Sequence, residues 1–389
     1  MPTSWSEGIM EGKAVDFLKK ILQIPSVSGN EQELSRFLKG FVESHGFTLI
    51  DSSLDNIIAT KGQGKPVLLM ASHMDTVPTN NPYRTEEGKI FAPGAVDCKP
   101  SLAAMFWAAA HVEWKPEWGT LVLAAVVEEE ISTRGMKDYF LHGPKPDYAI
   151  FGEPTNYNQI CIGYKGRVLF RMQTECMSGH VACCWQYDNA IAVCMDIFGL
   201  LQKDFEVFNQ SVKKPAEHYF HRITPNLVKV QGGTNPNSLP NSCEMMIDIR
   251  IPPEIDAEEL KQQIIQRIID YQSSHCEHPE TQISYEFPSC FNATETPLNA
   301  LVLAALKGSI YKQTKAKATL VKKTGSTFTN LIADHYQIPV ATYGPGDPKL
   351  EHCNDECIEI NEYLQVIEIY HQFFERLHVI HQRKQAKQR

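Results

Sequence analysis

Short apolar runs alternate with helically spaced segments through the first part of the chain. Apolar residues recur at helical spacing over 15–22 and 31–42, which predicts two opening helices, and the alanine-rich segment 101–112 predicts a third. Other runs are almost wholly apolar and end on polar residues, as strands buried on both faces do. These runs are 66–73, 119–128 and 148–153. Apolar strands that alternate with helices indicate an α/β domain with a largely parallel sheet flanked by helices.

The pattern changes near residue 166, where polar and apolar residues begin to alternate in VLFRMQTE and again in CEMMIDIRI. Together with a helical pattern over 257–271, this alternation predicts an inserted α+β domain. Proline and small polar residues cluster in FPSCFNATETP, which marks the return to the first domain. We therefore predict one discontinuous domain formed by 1–165 and 289–389, and a second domain formed by 166–288. A chain of 389 residues exceeds the usual size of one hydrophobic core, which also favours two domains.

Composition and charge exclude several classes of protein. The net charge of -9 argues against a nucleic-acid surface, because phosphate binding needs clustered Lys and Arg. The sequence has no uncharged apolar run of about 18 residues, and its start, MPTSWSEGIMEGK, does not resemble a signal peptide. We therefore expect a cytoplasmic protein without a membrane partner. Eleven cysteines without framework spacing favour reduced thiols over disulfides.

Polar residues that can bind metal ions lie at the ends of the predicted strands. In LLMASHMDTVP, His73 and Asp75 are two residues apart, so an extended chain directs both side chains to one face. A carboxylate in that position can accept the second ring N–H of a metal-bound imidazole. In FAPGAVDCKP, Asp97 projects from a loop before a helix and can bridge two cations, although an N-cap aspartate explains the same position.

Further carboxylates and a second histidine complete a candidate ligand set. AAVVEEEIS places three glutamates at the end of an apolar strand, where burial raises their pKa values unless cations or protons offset the charge. Neighbouring residues of an extended chain face opposite sides, so Glu129 and Glu130 can serve different roles, with a solvated acidic turn as the alternative. Glu153 of FGEPT and His352 of KLEHCNDE bring the set to two histidines and three carboxylates. Nitrogen and oxygen donors without thiolates are typical of a catalytic zinc pair.

The motifs of the chain also occur in a recognisable order: HMDTVP, GAVDCK, EEE, GEPT, SGH, NSLP with DIR, and GPGD followed by HCNDE. In this combination the chain resembles the dinuclear zinc aminoacylase and carboxypeptidase family, which includes acetylornithine deacetylase and succinyl-diaminopimelate desuccinylase. The resemblance implies a hydrolase of linear amides that holds two divalent ions, normally Zn²⁺, for which Co²⁺ can substitute.

Carried over position by position, the resemblance implies a role for each candidate ligand. His73 and Glu153 would bind one metal ion, and His352 and Glu130 would bind the other. Asp97 would bridge the two ions.

The resemblance also implies the residues that carry out the reaction. Glu129 would be the general base, and Asp75 would hold the first histidine ligand. The inserted domain would form a lid and a homodimer, and its His180 would stabilise the oxyanion in the active site of the other subunit. Asn237 of NSLP and Arg250 of DIR would bind the substrate carboxylate.

Three further motifs, one near the middle of the chain and two in its C-terminal third, indicate the class of substrate. GYKGR, KTG and YGPGDPKLEH resemble the branch that releases lysine or ornithine from an N-acyl form, including a hydrolase that acts on an amino-group carrier protein. The same motifs imply further substrate contacts at Arg167, Gly325 and Ser326. The chain departs from this branch at Phe328, where an acid is usual in the expected substrate pocket, and at Cys353, where threonine is usual. Amino-acid specificity therefore stays open.

The predicted function is hydrolysis of a small N-acylated amino acid, of the N-acetyl-ornithine or N-acetyl-lysine type, in amino-acid biosynthesis. A carrier protein that replaces the small acyl group is an alternative partner. Succinyl-diaminopimelate desuccinylase, dipeptidase or carboxypeptidase activity on the same scaffold is an alternative function. A metal-binding relative without catalytic activity is a second alternative.

Overall fold

The computed structural model describes residues 4–213, 219–276 and 278–388. The chain divides into two compact units. Unit 1 contains Met1–Ile162, Thr296–Val321 and Thr327–Arg389, and unit 2 contains Gly163–Glu295 and Lys322–Ser326. The predicted boundaries near residues 166 and 289 lie within a few residues of the boundaries between the units. Residues Lys322–Ser326, however, were predicted to lie in the first domain, whereas they belong to unit 2.

Helices and strands are interspersed along the chain. The helices are α1 (Ser4–Gln23), α2 (Gln32–Ser44), α3 (Lys99–His111), α4 (Arg134–His142), α5 (Ala190–Ser211), α6 (Ala257–His275), α7 (Leu301–Thr314), α8 (Phe328–Tyr336) and α9 (Ile360–Gln388). The strands are β1 (Thr48–Ile50), β2 (Ile57–Gly62), β3 (Val67–His73), β4 (Arg84–Glu86), β5 (Lys89–Phe91), β6 (Thr120–Val126), β7 (Tyr148–Gly152), β8 (Gln159–Tyr164), β9 (Gly166–Glu175), β10 (Thr224–Gly232), β11 (Ser242–Ile251), β12 (Gln282–Phe291), β13 (Thr294–Glu295), β14 (Thr319–Lys323), β15 (Val340–Thr342) and β16 (Cys357–Glu359). Among the described residues, no helix is both long and apolar enough to cross a membrane.

Unit 1 is built around a mixed sheet that includes the strand order β1-β2-β6-β3-β7-β15-β8. Its central strands β6, β3, β7 and β15 run parallel to one another. Every residue of β3 is buried, and Leu68 and Met70 pack in one hydrophobic cluster while Leu69 and Ala71 pack in another. Because successive side chains of a strand face opposite sides, the core covers both faces of this sheet. This arrangement confirms the predicted α/β class.

Helices cover the two faces of the sheet in unit 1. Helices α1, α3, α7 and α9 contribute buried side chains to the cluster that contains Leu68. Helices α4 and α8 contribute to the cluster that contains Leu69. A parallel sheet with helices on both faces gathers its functional groups at the carboxyl ends of the strands.

Unit 2 has an antiparallel sheet with the strand order β10-β11-β9-β12. Strand β9 alternates regularly, since Phe170 and Met172 are fully buried whereas Arg171 and Gln173 are exposed. Helices α5 and α6 share a hydrophobic cluster with the buried face. The polar-apolar alternation that predicted an α+β domain is therefore the pattern of a sheet with one covered face.

Candidate metal centre and catalytic site

Neighbouring strands of unit 1 bring polar residues to one edge of the sheet. Strand β3 ends at His73 and lies between β6 and β7 in the sheet. The acidic turn 128–130 follows β6, and Glu153 comes directly after β7. Because the carboxyl ends of parallel strands meet at one edge, these residues converge although they are far apart in the sequence.

Asp97 lies between the two predicted histidine ligands. Its Oδ1 is 3.1 Å from Nε2 of His73, and its Oδ2 is 3.1 Å from Nε2 of His352. Oε1 of Glu153 is 3.9 Å from Nε2 of His73, and Oε1 of Glu130 is 3.0 Å from Nε2 of His352. Two groups of potential ligands result, the His73 group and the His352 group, and Asp97 belongs to both. Since each Asp97 oxygen faces a different histidine, the carboxylate is oriented to be shared by two cations.

Asp75 holds the imidazole of His73 from the other side. Its backbone carbonyl lies 3.0 Å from Nδ1 of His73, and its carboxylate oxygen Oδ1 lies 3.3 Å from the same nitrogen. Both side chains are almost completely buried. A proton on Nδ1 satisfies these oxygens and leaves Nε2, the nitrogen that faces Asp97, free to bind a cation.

The side chains of the acidic turn point to different partners. Glu128 accepts hydrogen bonds from Ser132 at 2.6 Å and from Arg134 at 2.9 Å, so its charge is already paired. Glu130 faces His352. Glu129 lies between these two, and its pKa is raised to about 8 by burial and by the nearby carboxylates, with His73 opposing the shift. The geometry therefore separates the three glutamates that the sequence presents as a run.

Two buried carboxylates hold the backbone of this turn. The N–H of Glu128 donates to Oε1 of Glu31 at 3.1 Å. The next two N–H groups, of Glu129 and Glu130, donate to Oδ1 and Oδ2 of Asp75 at 2.9 and 3.0 Å. The sequence did not indicate this role for Glu31, which is the first residue of the predicted helix 31–42. In the structure it directly precedes α2, and its side chain makes no cap hydrogen bond there.

The electrostatics of the site favour added positive charge. Burial alone would raise the pKa of Asp97, but hydrogen bonds with His352 and His73 outweigh it and hold the pKa below its usual range. Hydrogen bonds to Asp97 and Glu130 raise the pKa of His352 to about 11. Carboxylates that favour a proton so strongly on a neighbouring imidazole also favour a divalent cation in its place.

The donor set fits two divalent cations of the zinc type. Each group offers imidazole nitrogen and carboxylate oxygen, and the ligand atoms within each group lie within 4.8 Å of one another. The thiol of Cys98 also belongs to the His73 group. Burial raises the pKa of this thiol to about 12, and its Sγ lies 3.0 Å from Oγ of Ser72. Apart from this thiol, each group has an imidazole nitrogen and at least two carboxylates.

In unit 2, two arginines share one carboxylate. Arg250 donates through Nε and Nη2 to the two oxygens of Asp248 at 2.8 and 3.1 Å, and Arg167 donates through Nη2 to Asp248 at 2.9 Å. Arg250 also donates to Oγ of Ser326 at 3.0 Å, and the carbonyl of Gly325 accepts the N–H of Lys165 at 3.1 Å. Four of the residues expected to contact the substrate therefore lie together, namely Arg167, Arg250, Gly325 and Ser326. Two arginines beside one aspartate leave this group with one net positive charge.

The remaining two predicted residues of unit 2 lie in a second, separate set of loops. His180 pairs with Ser238 in a short β-bridge, and Val181 donates its N–H to the carbonyl of Asn237 at 3.1 Å. His180 is exposed, and its Nδ1 accepts the N–H of Ala182 at 3.1 Å. The neutral ring therefore carries its proton on Nε2, where it can donate to a ligand.

Comparisons with known proteins identify the family. The family model described as peptidase family M20/M25/M40 matches residues 69–376. The chain belongs to peptidase family M20. A candidate LysW-lysine/LysW-ornithine hydrolase from Pyrococcus furiosus is 30% identical over 355 residues, which cover 91% of this chain and 94% of the relative. A LysW-lysine hydrolase from Deinococcus radiodurans is 25% identical, with 92% and 94% covered.

The fold agrees with that of solved M20 structures. A metallo-carboxypeptidase of the family from Sulfolobus solfataricus superposes with a TM-score of 0.76 at 19% identity, covering 94% of this chain and 99% of that chain. Membership of this family and the hydrolase relatives make the protein a metal-dependent M20 hydrolase that acts on amide bonds. This confirms the family resemblance and the enzyme class expected from the sequence.

One departure from the expected M20 branch has a structural explanation. Phe328 is 3% exposed and packs in the hydrophobic cluster of α8, with its ring centroid 6.1 Å from that of Phe151. The position that we expected in the substrate pocket is therefore part of the core. Its neighbour Thr327 donates to Oε1 of Glu153 at 2.8 Å and so holds a candidate ligand, a role that the sequence did not indicate.

Proposed function

We propose that this M20 hydrolase removes the acyl group from a small N-acylated amino acid with the help of two divalent cations. The observation that supports this most directly is the position of Asp97, whose two oxygens each lie 3.1 Å from a different histidine. A shared carboxylate of this kind serves two ions at once. Zinc is the ion that the imidazole and carboxylate donors favour, and cobalt can substitute for it.

The ligand assignment follows the two groups. His73 and Glu153 would hold one ion, His352 and Glu130 the other, and Asp97 both. The ions would supply a Lewis acid for the carbonyl oxygen and would lower the pKa of a water molecule.

The residues around the ions carry the proton transfers. Glu129 takes a proton from the attacking water and delivers it to the leaving amine, and burial, which raises its pKa, favours this exchange of protons. Asp75 keeps Nδ1 of His73 protonated through contacts at 3.0 and 3.3 Å. The same carboxylate binds the N–H groups of Glu129 and Glu130, so it positions the base relative to the histidine.

Residues of unit 2 would recognise the substrate. Arg250 would bind the α-carboxylate of the amino acid together with Asn237, and Arg167, Gly325 and Ser326 would complete the substrate contacts. Asp248 and Ser326 together occupy three of the five N–H groups of Arg250. Within the part of the chain that the structure describes, two N–H groups remain for a ligand, which is the number that a forked contact with a carboxylate requires.

His180 would donate from Nε2 to the oxyanion in the other subunit of a homodimer. Its exposure and the protonation of Nε2 suit this role. Such donors contribute roughly 3 to 4 kcal/mol when they are positioned in advance.

The names of the relatives favour lysine or ornithine as the amino acid released. They also suggest a carrier protein in place of a small acyl group. The experiment is a panel of acetyl-ornithine, acetyl-lysine, acetyl-citrulline, succinyl-diaminopimelate, dipeptides and a lysine-loaded carrier protein, assayed with the metal-loaded enzyme. Turnover confined to dipeptides would replace the deacylase proposal with a peptidase. No turnover by a fully loaded protein would favour a non-catalytic relative.

A further inference from the structure

The loop that carries Asp97 rests on one buried carboxylate. Residues 92–98 lie between β5 and α3 and belong to neither a helix nor a strand. Three backbone N–H groups of this loop donate to Glu356: that of Gly94 to Oε2 at 3.0 Å, and those of Val96 and Asp97 to Oε1 at 2.8 and 2.7 Å. Glu356 itself is only 2% exposed.

These contacts are strong for a physical reason. A buried N–H that has no partner costs free energy, and an irregular loop has no helix or strand neighbour to supply acceptors. A carboxyl group offers two oxygens with room for several donors. One side chain therefore satisfies three donors that include the N–H of Asp97 itself.

Glu356 is also fixed to the loop that carries His352. It lies four residues after that histidine and directly before β16, and β16 pairs with β5 at the start of the Asp97 loop. The amide of Asn81 ties the same region together, since it donates to the carbonyls of Ala92 and Glu356 at 3.1 and 2.8 Å. Movement of Glu356 would therefore change the spacing between Asp97 and His352.

We propose that Glu356 is a positioning residue that sets the orientation of the Asp97 carboxylate between the two cation sites. This proposal rests on the proposed metal-dependent function. Glu356 would not touch either ion, because its two oxygens are directed to backbone N–H groups. Its effect on the two sites would be simultaneous, since Asp97 is the one ligand among the described residues that they share.

The test uses Glu356→Gln and a matched control. Gln keeps the shape of the side chain but replaces one acceptor oxygen with an NH₂ group that faces backbone donors. The control is Asp147→Asn, because Asp147 also accepts a backbone N–H, that of Val67 at 2.8 Å, but at the opposite end of β3. Metal-free preparations of the wild type and both variants are titrated with CoCl₂, and the visible absorption of Co²⁺ reports affinity and coordination geometry. Melting temperature, kcat and KM are measured on the same proteins.

For Glu356→Gln we expect the affinity for both ions to fall by about 10- to 100-fold, the usual effect of removing a partner of a metal ligand. The Co²⁺ spectrum should change and kcat should fall while KM stays near its wild-type value. Asp147→Asn should lower the melting temperature without altering the spectrum. Wild-type affinity and spectrum in Glu356→Gln would overturn the proposal, as would an equal loss of affinity in Asp147→Asn.

A second variant covers the case in which Glu356→Gln does not fold. Glu356→Asp keeps the charge on a side chain shorter by one methylene, so either the loop moves or the three N–H groups lose their acceptor. Weaker binding of both ions supports the positioning role, and wild-type binding of both ions overturns it. A wild-type protein that binds fewer than two Co²⁺ ions would instead contradict the proposed function.

Discussion

Replacement of Glu129 separates proton transfer from metal binding. Glu129→Gln removes the basic oxygen but leaves the size of the side chain nearly unchanged. Glu130→Ala removes one of the three ligands of the His352 group, which are Asp97, Glu130 and His352. Glu128→Gln is the matched control, because Glu128 is an adjacent acid that pairs with Arg134 and Ser132 instead of the ligands.

The size of the effect follows from what surrounds Glu129. A positioned general base contributes about two to four orders of magnitude to kcat, or roughly 3 to 5 kcal/mol of activation free energy. The neighbouring carboxylates are engaged elsewhere: Asp97 and Glu130 face histidines, and Glu153 accepts from Thr327. Because none of them can readily replace the base, we expect Glu129→Gln to reach the upper half of that range, with little change in KM.

The assay combines elemental analysis of bound metal with steady-state kinetics on the best acylated amino acid. Glu129→Gln should retain two ions and lose turnover. Glu130→Ala should lose occupancy of one site, and excess metal should restore part of its turnover. Glu128→Gln should keep both properties and lose at most about 1 kcal/mol of stability, as expected for a partly exposed ion pair. The assignment of the base is refuted if Glu129→Gln keeps most of its activity or loses metal as Glu130→Ala does.

Arg250→Ala should raise KM strongly for substrates with a free α-carboxylate and hardly at all for their amides, because the forked contact is then lost. Equal losses on both kinds of substrate would make Arg250 structural. Mixed dimers of His180→Ala and Glu129→Ala subunits should regain part of the activity that each variant lacks, and absence of recovery would exclude action across a dimer. Chelation should abolish turnover, and Zn²⁺ returned at 100 times its Kd should stabilise the fold by about 2.7 kcal/mol for each ion bound, measured by calorimetry; an unchanged melting temperature would argue against the metal sites. Phe328→Asp should cost more than about 3 kcal/mol in denaturant unfolding, because loss of the buried ring alone costs about 3 to 5 kcal/mol and burial of a carboxyl group adds to it. A stable variant with a new preference for lysine substrates would contradict the core position of Phe328.

Local pattern was enough to predict the strands and the polar residues at their ends. Apolar runs of strand length, each followed by an acid or a histidine, placed His73, the turn 128–130 and Glu153 at one edge of a parallel sheet. The structure has β3, β6 and β7 in those segments. Such runs are informative because burial on both faces demands apolar residues throughout a strand, and this demand is visible in a few consecutive residues.

The family resemblance implied which histidine and which glutamate would share each ion, and spacing alone left this open. Composition and alternation did not show which glutamate of the run would face which histidine. They also left Asp97 as either a bridge or a helix cap; in the structure each of its oxygens lies 3.1 Å from a different histidine, which supports the proposed bridge.

The supporting contacts were decided by tertiary structure. Glu356 accepts the N–H of Asp97 across 259 residues of sequence, and Glu31 accepts the N–H of Glu128 across 97. Asp248 binds both arginines because the antiparallel register of β9 and β11 places Arg167 opposite Arg250, and this register is not visible in the sequence. The sequence by itself determined which segments are buried and which chemical groups are available, because these depend on neighbouring residues. Only the folded chain determined which carboxylate satisfies which distant backbone N–H, because that depends on distances created when loops far apart in the sequence pack together.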